Sequence, residues 1–457
     1  MHDLGTTLVA VATPAGRGGV GCLRISGPES LRIGRSLFRP NVAGQLVEAD
    51  GRARFGSFLS REEKPLDHGY LIGFPAGGSY TGDLSVELWP HGSPAVLAEL
   101  VEAAVAAGAE PAGPGEFTYR ALCNGRLDLA RAEAVRDLIE ARTLYQARVA
   151  FAQADGALSH RLAPLREGLE EWIARTEAAV EFVDESDTHL PPGELRRAIG
   201  EAEASCRELL AGYRRGRVVR DGAKLAMIGL PNSGKSSLFN RLLARERAIV
   251  TEIAGTTRDT LEEDVDLEGI PVRLIDTAGL REVTDPVESE GVRRAVRARE
   301  EADLILLVLD GSRPVEPLEL EALERSRTAP QGERTVVVVN KSDLPDGTRT
   351  ELPGPAPLRV SALTGEGLDT LRDELRRCLV GTGPLEDPII TNSRHAHALE
   401  QAARALERAV KASSDGLSEE LLLEDLREAM RHVGTITGEF TTEALYDRIF
   451  STFCIGK

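Results

Sequence analysis

Hydrophobic positions along the chain follow different patterns in successive regions, and each pattern predicts a different kind of structure. Up to about residue 120, the short apolar runs TLVAVATP, GVGCLRISG, DHGYLIGFP and LSVELWPHG alternate with glycine and proline, which predicts short strands separated by turns. From about Leu127 the apolar residues recur at helical spacing, and this periodicity continues, after a turn at residues 191–193, to about residue 220. A small α+β domain followed by long amphipathic helices is therefore expected.

The pattern changes again at Ala223, where near-continuous apolar runs alternate with helical stretches. The runs KLAMIGL, VRLIDTA, ADLILLVLD and RTVVVVNK predict strands of a parallel sheet that is covered by helices on both faces. Helical periodicity returns at about Pro388, so we predict an α/β domain inserted into a helical domain. The predicted domains are residues 1–120, residues 121–220 for the first helical part, residues 221–384 for the inserted domain and residues 385–457 for the second helical part.

Composition narrows the functional classes. The net charge of -18 over 457 residues argues against non-specific coating of nucleic acid, although it leaves room for a local RNA site. The five cysteines are scattered without CxxC spacing, which is typical of reduced thiols in the cytosol. No signal peptide and no apolar run of membrane-spanning length is evident, so we expect a cytoplasmic protein.

A phosphate-binding motif follows the first strand of the inserted domain. The segment GLPNSGKS, residues 229–236, has the GxxxxGKS pattern between a predicted strand and a predicted helix. Backbone N–H groups of such a loop surround phosphate oxygens, and the following helix N-terminus adds a positive dipole end. Lys235 is expected to reach the β- and γ-phosphates, and the Ser236 hydroxyl to bind Mg²⁺. The predicted nucleotide-binding residues of this loop are Asn232, Ser233, Gly234, Lys235, Ser236 and Ser237.

Two further strand ends predict a guanine nucleotide. Asp343, in the NKSD segment after TVVVV, can accept hydrogen bonds from N1–H and the exocyclic amine of guanine, whereas adenine offers no matching pair of donors. After the strand VRLI, an aspartate can hold Mg²⁺ through water and a glycine can sense the γ-phosphate. A third segment, after the strand-like LRV, resembles the last guanine-contacting loop of GTPases. The predicted nucleotide-binding residues of the three segments are Asp276, Thr277, Ala278 and Gly279; Asn340, Lys341, Ser342 and Asp343; and Ser361, Ala362 and Leu363.

The segment before the second strand is a candidate first switch, because a threonine there can complete the Mg²⁺ shell. Leu280 follows the DTAG segment, where Ras-type enzymes place a water-orienting glutamine, so another group must stabilise the transition state. A K⁺ ion held by the Asn232 amide and carbonyls of residues 251–256 is one candidate. The alternative is that Asn232 only stabilises its loop. The predicted ligand-binding residues here are Thr251, Glu252, Ile253, Ala254, Gly255, Thr256 and Thr257.

Three segments resemble a known family. The C-terminal FCIGK, the segment GTITGEFTTEALYDRIF and the N-terminal ATPAGRGGVGCLRISG are together similar to the MnmE (TrmE) family of tRNA-modifying GTPases. The resemblance covers essentially the whole chain. It implies a homodimer joined through N-terminal domains, a discontinuous helical domain and an inserted Ras-like P-loop GTPase domain.

The resemblance also implies K⁺-stimulated GTP hydrolysis when the GTPase domains pair across the dimer. By motif match Glu288 takes the place of the glutamate that orients the attacking water, and Lys235 is a catalytic residue. The implied metal ligands are Asn232, Thr251, Ile253 and Thr256 for K⁺, and Ser236 and Thr257 for Mg²⁺.

The N-terminal domain of this family binds a one-carbon tetrahydrofolate, and the matching positions here are Arg24, Glu87, Arg126 and Lys457. A carboxylate suits the pterin ring, and cations suit the carboxylates of the folate tail. Cys454 is a candidate catalytic thiol. The alternative for Cys454 is packing beside the apolar IFSTF segment.

The resemblance implies a partner, the FAD-dependent protein MnmG (GidA), with which an aminomethyl or carboxymethylaminomethyl group is formed on the wobble uridine of certain tRNAs. Nothing in this chain resembles a dinucleotide-binding GxGxxG site, so the flavin is expected on the partner. Two alternatives remain from the residues alone: a ribosome-assembly GTPase of the Era or Der type, and a dimerising scaffold without ligand chemistry.

Overall fold

The structure is a computed structural model, and it describes residues 4–42, 47–181, 192–245, 262–276, 301–328, 334–347, 352, 357–382 and 389–456. The chain groups into two compact units. The first unit comprises Met1–Arg136, Ala154–Arg166 and Met430–Lys457, and the second comprises Asp137–Gln153 and Glu167–Ala429.

The N-terminal part of the first unit is built on a seven-stranded sheet in the order β3-β4-β5-β6-β2-β1-β7. Alternate residues such as Leu23, Ile25, Leu71, Val86 and Leu88 are fully buried in one core beneath it, as the period-two pattern predicts. The sequence analysis identified β1, β2, β5 and β6 and missed the others. The strands are β1 Leu8–Val11, β2 Leu23–Ser26, β3 Phe38–Pro40, β4 Ala53–Leu59, β5 Pro65–Phe74, β6 Ser85–Trp89 and β7 Glu110–Pro111.

The helices before the inserted domain are shorter than the periodicity suggests, because the helical structure is interrupted at residues 141–143 and at Gly156. Helix α6 nevertheless continues through Pro164, which removes one backbone hydrogen bond. Its side chains Leu158, Leu162 and Leu165 are buried, and each contributes roughly 1.5–3 kcal/mol, enough together to offset that loss. The helices are α1 Ser30–Ser36, α2 Pro94–Ala106, α3 Glu116–Cys123, α4 Leu129–Glu140, α5 Leu144–Ala154, α6 Ala157–Glu181, α7 Pro192–Ala211 and α8 Tyr213–Asp221.

The α/β part of the second unit contains a six-stranded sheet in the order β13-β12-β11-β8-β10-β9. Four neighbouring pairs are parallel, as predicted, and β11 is buried at every position. The edge strand β9 is antiparallel to β10, which corrects the expectation of an all-parallel sheet. The strands are β8 Ala223–Ile228, β9 Glu262–Leu267, β10 Ile270–Asp276, β11 Leu304–Asp310, β12 Thr335–Asn340 and β13 Leu358–Arg359, and the helices are α9 Lys235–Arg245, α10 Pro317–Thr328 and α11 Leu368–Val380.

The remaining helices are α12 Ser393–Ser414, α13 Glu419–Thr437 and α14 Glu443–Phe450. Helix α12 begins after the N-cap residue Asn392, whose side chain accepts a hydrogen bond from the backbone N–H of Arg394. It packs along α7, and its buried residues include the small side chains Ala402, Ala405 and Ala409. None of the described helices is long and apolar enough to cross a membrane.

Candidate functional site

The phosphate-binding motif forms a tight loop between β8 and α9. Asn232 and Gly234 both adopt positive φ, 62° and 89°, so the chain turns sharply before α9 begins at Lys235. Ser233 is fully buried, and its Oγ has no hydrogen-bond partner in the described part of the chain. The Lys235 ammonium donates to the carbonyls of Gly229 and Leu230, at 2.8 Å each. The loop thus holds the lysine folded back over the phosphate cradle.

Two glycines of the loop have no room for a side chain. A Cβ on Gly229 would lie 2.2 Å from the carbonyl oxygen of Val308 on β11. A Cβ on Gly234 would lie 2.2 Å from the Asn340 side-chain nitrogen. The glycines of the motif therefore serve close packing of the loop against β11 and β12 as well as access of the backbone to a ligand.

Asn340 joins three loops at the carboxyl end of the sheet. It is 1% exposed at the end of β12. Its Nδ2 donates to the Ser233 carbonyl at 3.0 Å, and its Oδ1 accepts the backbone N–H of Ala362 at 3.0 Å. The phosphate loop, the NKSD segment and the Ser361–Leu363 segment are brought together by this one amide.

The Asp343 carboxylate, which is predicted to bind the guanine base, accepts a hydrogen bond from the Ser361–Leu363 segment. Asp343 is exposed, and its Oδ1 accepts a hydrogen bond from the Ser361 hydroxyl, whose residue is fully buried. The Ser361 Oγ in turn accepts the backbone N–H of Thr364 at 3.0 Å. Because each carboxylate oxygen has further lone pairs, Asp343 keeps acceptor capacity toward a base. Leu363 is exposed at 79% and flanks this region.

Asp310, at the end of β11, is a site residue that the sequence analysis missed. Its Oδ2 accepts from the Lys341 ammonium at 2.6 Å and its Oδ1 from the Ser312 hydroxyl at 2.6 Å. Burial alone would raise the pKa of Asp310, but the hydrogen bonds from Lys341 and Ser312 outweigh it and leave that pKa below its usual value. The signal was present, since a carboxylate closing a buried parallel strand lies at the same edge as the other strand ends.

Several predicted site residues lie outside the described residues: Thr251–Thr257, Thr277–Gly279, Glu288 and Lys457. The backbone of Asp276 is described and ends β10 opposite Met227. The side chain of Asp276 is outside the described part. All of the predicted metal ligands, including Asn232 and Ser236, and the catalytic role of Glu288 therefore stay predictions.

In the N-terminal domain the structure brings two predicted folate residues together. Arg24 on β2 and Glu87 on β6 are directly opposite, and Arg24 Nε and Nη2 contact Glu87 Oε1 at 3.0 and 2.9 Å. The guanidinium lies 5.4 and 5.7 Å from the ring centroids of Tyr80 and Phe117. The remaining nitrogen, Arg24 Nη1, is buried without a hydrogen-bond partner among the described residues. Both rings were missed by the sequence analysis, because nothing in their local pattern separates them from core aromatics.

Arg126 and the C-terminal residues lie in the same unit. Arg126 is exposed, and its side chain runs beside Gly82, two residues after Tyr80. Ile455 forms a bridge with Pro114, and the backbone N–H of Gly115 donates to the Cys454 carbonyl at 3.4 Å. Gly456, with φ of 94°, is so close to β1 that a Cβ would lie 2.3 Å from the Val11 carbonyl. The exposed Cys454 is thus held near the end of the strand that pairs with the Arg24 strand.

The class of protein follows from this geometry. A parallel sheet whose first strand leads into a glycine-rich phosphate loop, with an NKSD segment at the end of another strand, is the Ras-like P-loop GTPase fold. It is inserted between helical segments that follow an α+β N-terminal domain.

Comparison with known proteins identifies the family. Residues 7–126 match the model of the GTP-binding protein TrmE N-terminus, and residues 129–454 match the MnmE helical domain. The chain is 43% identical over 458 residues to the tRNA modification GTPase MnmE of Koribacter versatilis, covering 100% of both chains. It is also 43% identical to that of Aquifex aeolicus, covering 98% of this chain and 99% of the relative. The chain belongs to the MnmE family of tRNA modification GTPases, so it is a GTP hydrolase.

Solved structures that are similar to part of the chain include Era in complex with MgGDPNP and a 16S ribosomal RNA fragment. That structure has a TM-score of 0.28 and 27% identity, and the match covers 40% of this chain and 66% of that chain. The family models extend over both regions that flank the GTPase domain. The alternative of an Era- or Der-type assembly switch is therefore not favoured.

Proposed function

We propose that this chain forms a homodimer and, with the FAD-dependent partner MnmG (GidA), builds the aminomethyl or carboxymethylaminomethyl group on the wobble uridine of certain tRNAs. A tetrahydrofolate derivative supplies the one-carbon unit, and the partner's flavin carries out the redox chemistry. GTP hydrolysis by the inserted domain drives the cycle. The domain boundaries at residues 120, 220 and 384 belong to this proposal.

The observation that carries the folate assignment is the Arg24–Glu87 pair. The side chains of Arg24 and Glu87 are only 15% and 14% exposed. Removing such an ion pair from water is costly unless its remaining hydrogen-bonding groups also find partners. The buried Arg24 Nη1 lacks a partner among the described residues, and the Tyr80 and Phe117 rings border it. A flat, polar heterocycle such as a pterin would satisfy both the unused nitrogen and the aromatic surroundings. Arg126 and Lys457 are proposed to bind the tail carboxylates.

In the GTPase domain, the proposed contacts with the nucleotide, the metal ion and the attacking water come from the loops at the ends of the strands. Lys235, released from the Gly229 and Leu230 carbonyls, binds the β- and γ-phosphates, and Ser236 with Thr257 binds Mg²⁺. Glu288 is proposed to orient the attacking water. The remaining proposed nucleotide-binding residues are Ser233, Gly234, Ser237, Glu252, Ala254, Gly255, Asp276, Thr277, Ala278, Gly279, Asn340, Lys341, Ser342, Asp343, Ser361, Ala362 and Leu363.

Replacing Glu87 with glutamine tests the folate site directly. We expect a stable formyl derivative of tetrahydrofolate to bind the full-length chain, and the Glu87→Gln variant to bind it about ten- to a hundredfold more weakly. The reason is that a hydrogen bond to a charged group contributes about 1.5–3 kcal/mol. Calorimetric titration measures both affinities.

The matched control is Glu110→Gln, an exposed carboxylate on β7 of the same sheet, which should bind the folate as the native chain does. GDP binding by each variant shows that the protein is folded. No folate binding by a native chain that binds GDP normally would refute the folate assignment and favour a scaffold role for the N-terminal domain.

The Cys454→Ser substitution tests whether the thiol takes part in the chemistry. In cells lacking this chain, we expect mass spectrometry of tRNA to show loss of the wobble-uridine group, and the native chain to restore it. If Cys454 is catalytic, the serine variant restores little, because a hydroxyl is a far weaker nucleophile and acid than a thiol. Full restoration by Cys454→Ser would leave the exposed thiol without a chemical role.

A further inference from the structure

The hairpin formed by β9 and β10 connects two segments of the GTPase domain that are predicted to respond to the nucleotide, the first ending at Thr257 and the second beginning at Asp276. Strand β9 begins five residues after Thr257, and β10 ends at Asp276, the first residue of the DTAG segment. The two strands pair continuously, from Glu262 opposite Ile275 to Leu267 opposite Ile270. A paired hairpin moves as one body, so a shift at its tip is carried to both segments that it connects.

The tip of this hairpin is held by the segment before α5. Thr143, which is 5% exposed, donates its hydroxyl to the Gly269 carbonyl at 2.7 Å. Glu268 and Gly269 form the turn with φ of 51° and 95°, as type I′ hairpins require. Gly269 lies so close to Tyr145 that a Cβ there would be 2.9 Å from the Tyr145 Cβ. The contact therefore depends on backbone approach and leaves little freedom to the turn.

A charged contact holds the side of the same hairpin. Arg142 Nη1 donates to Asp264 Oδ2 at 2.5 Å, and Asp264 Oδ1 also accepts from Arg273 Nε at 2.9 Å. Asp264 is 11% exposed, so this ion pair is screened less than one on the open surface. Arg273 lies opposite Asp264 within the hairpin, whereas Arg142 is outside it. Loss of Arg142 would remove the external contact and leave the internal pair in place.

Residues 142–146 are also hydrogen-bonded to the end of helix α8, which precedes the strand that leads into the phosphate loop. Gln146 Oε1 accepts the backbone N–H groups of Arg142 and Thr143 at 2.8 and 3.1 Å. Gln146 Nε2 donates to the carbonyl of Arg220, three residues before β8 begins at Ala223. The Arg220 guanidinium is itself paired with Asp137 at 2.6 and 2.8 Å. Residues 142–146 are thus tied both to the hairpin and to the start of the GTPase domain.

We propose that Arg142, Thr143 and Tyr145 are positioning residues for GTP hydrolysis. Together they form a clamp, here called the hairpin clamp, that sets the position of β9 and β10 relative to the phosphate loop. They act through the hairpin and need no contact with the nucleotide. Catalytic rates fall steeply when a reacting group is misplaced, by about a hundredfold for 1 Å. The inference goes beyond the family's activity and is independent of the folate assignment.

Two substitutions of one residue separate positioning from simple stability. Thr143→Val keeps the shape of the side chain and removes the hydroxyl, and Thr143→Ser keeps the hydroxyl. We expect Thr143→Val combined with Arg142→Ser to lower kcat for GTP about tenfold, with KM and GDP affinity unchanged within about twofold, because Lys235, at the start of α9, and Asp343, in the loop after β12, lie outside the hairpin. Thr143→Ser should retain the native kcat.

The experiment uses the full-length chain, with kcat normalised to the number of GDP-binding sites so that unfolded molecules do not count. Arg196→Ser, on the exposed face of α7, is the matched control and should hydrolyse GTP at the native rate. If the double variant does not fold, Arg142→Ser alone carries the test with the same expectation of a lower kcat. Native kcat in the folded variants, or a parallel loss of GDP affinity, would overturn the proposal.

Discussion

Replacing Asp343 with asparagine should weaken GDP binding about a thousandfold and make xanthine nucleotides the preferred ligands. Two hydrogen bonds from guanine to a carboxylate contribute about 1.5–3 kcal/mol each, and the amide of asparagine turns a donor toward the guanine amine. Xanthine carries an oxygen in place of that amine, so it accepts from the amide. The Ser361 hydroxyl, which holds Asp343 Oδ1 in the structure, can hold the asparagine in the same orientation. Competition titrations with GDP, ADP and XDP measure the change.

Asp346→Asn is the matched control for this prediction. Asp346 is half-exposed in the same loop and pairs with Arg359 at 2.8 Å at the surface, where an ion pair contributes little. We expect the control to bind GDP like the native chain. Unchanged discrimination between GDP and ADP in Asp343→Asn would show that the base is read elsewhere.

GTP turnover should be at least about tenfold faster in K⁺ than in Na⁺ at equal ionic strength. This figure is conservative, because an arginine finger, which stabilises the charge that develops between the phosphates in the transition state, accelerates hydrolysis roughly a thousandfold or more. We propose that the Asn232 amide, with Thr251, Ile253 and Thr256, binds the ion next to the phosphates. The exposed Asn232 side chain in the phosphate loop is the observation that supports it. Steady-state hydrolysis in the two salts is the measurement.

The positive φ of Asn232 makes the right variant clear. At 62°, an alanine would strain the loop and confound the result, whereas Asn232→Gly keeps the backbone and removes only the amide. We expect Asn232→Gly to hydrolyse GTP at the same slow rate in K⁺ and Na⁺. Equal rates for the native chain in both salts would exclude the ion, and K⁺ stimulation that survives in Asn232→Gly would assign the residue to loop stability alone.

The sequence predicted the GTPase fold well because its signals are local. The phosphate loop needs glycines where φ is positive or where a side chain would not fit: Gly234 has a φ of 89°, and a Cβ on Gly229 would lie 2.2 Å from the carbonyl oxygen of Val308. Strand β9 was missed because its apolar residues are only Val265 and Leu267, set among acidic residues. Strand β9, with the sequence EEDVDL, lies at the edge of the sheet, so only alternate residues are buried. It therefore lacks the continuous apolar run of the central strands.

Long-range contacts account for most of what the sequence could not predict. Arg24 and Glu87 were expected in the folate site from the resemblance, but their ion pair, the Nη1 that has no partner among the described residues, and the Tyr80 and Phe117 rings depend on distant segments meeting. The same holds for the Thr143–Gly269 contact, which joins residues far apart in the chain. Helix α6 continues through Pro164, because tertiary burial of neighbouring leucines overrides one missing hydrogen bond.

The buried Asn340 amide has a consequence for how the ligand is sensed. Since it hydrogen-bonds both to the phosphate loop and to the Ser361–Leu363 segment, neither loop can change conformation without disturbing the other. We therefore expect the nucleoside and the pyrophosphate to bind cooperatively, because a ligand group that orders one loop also orders the other.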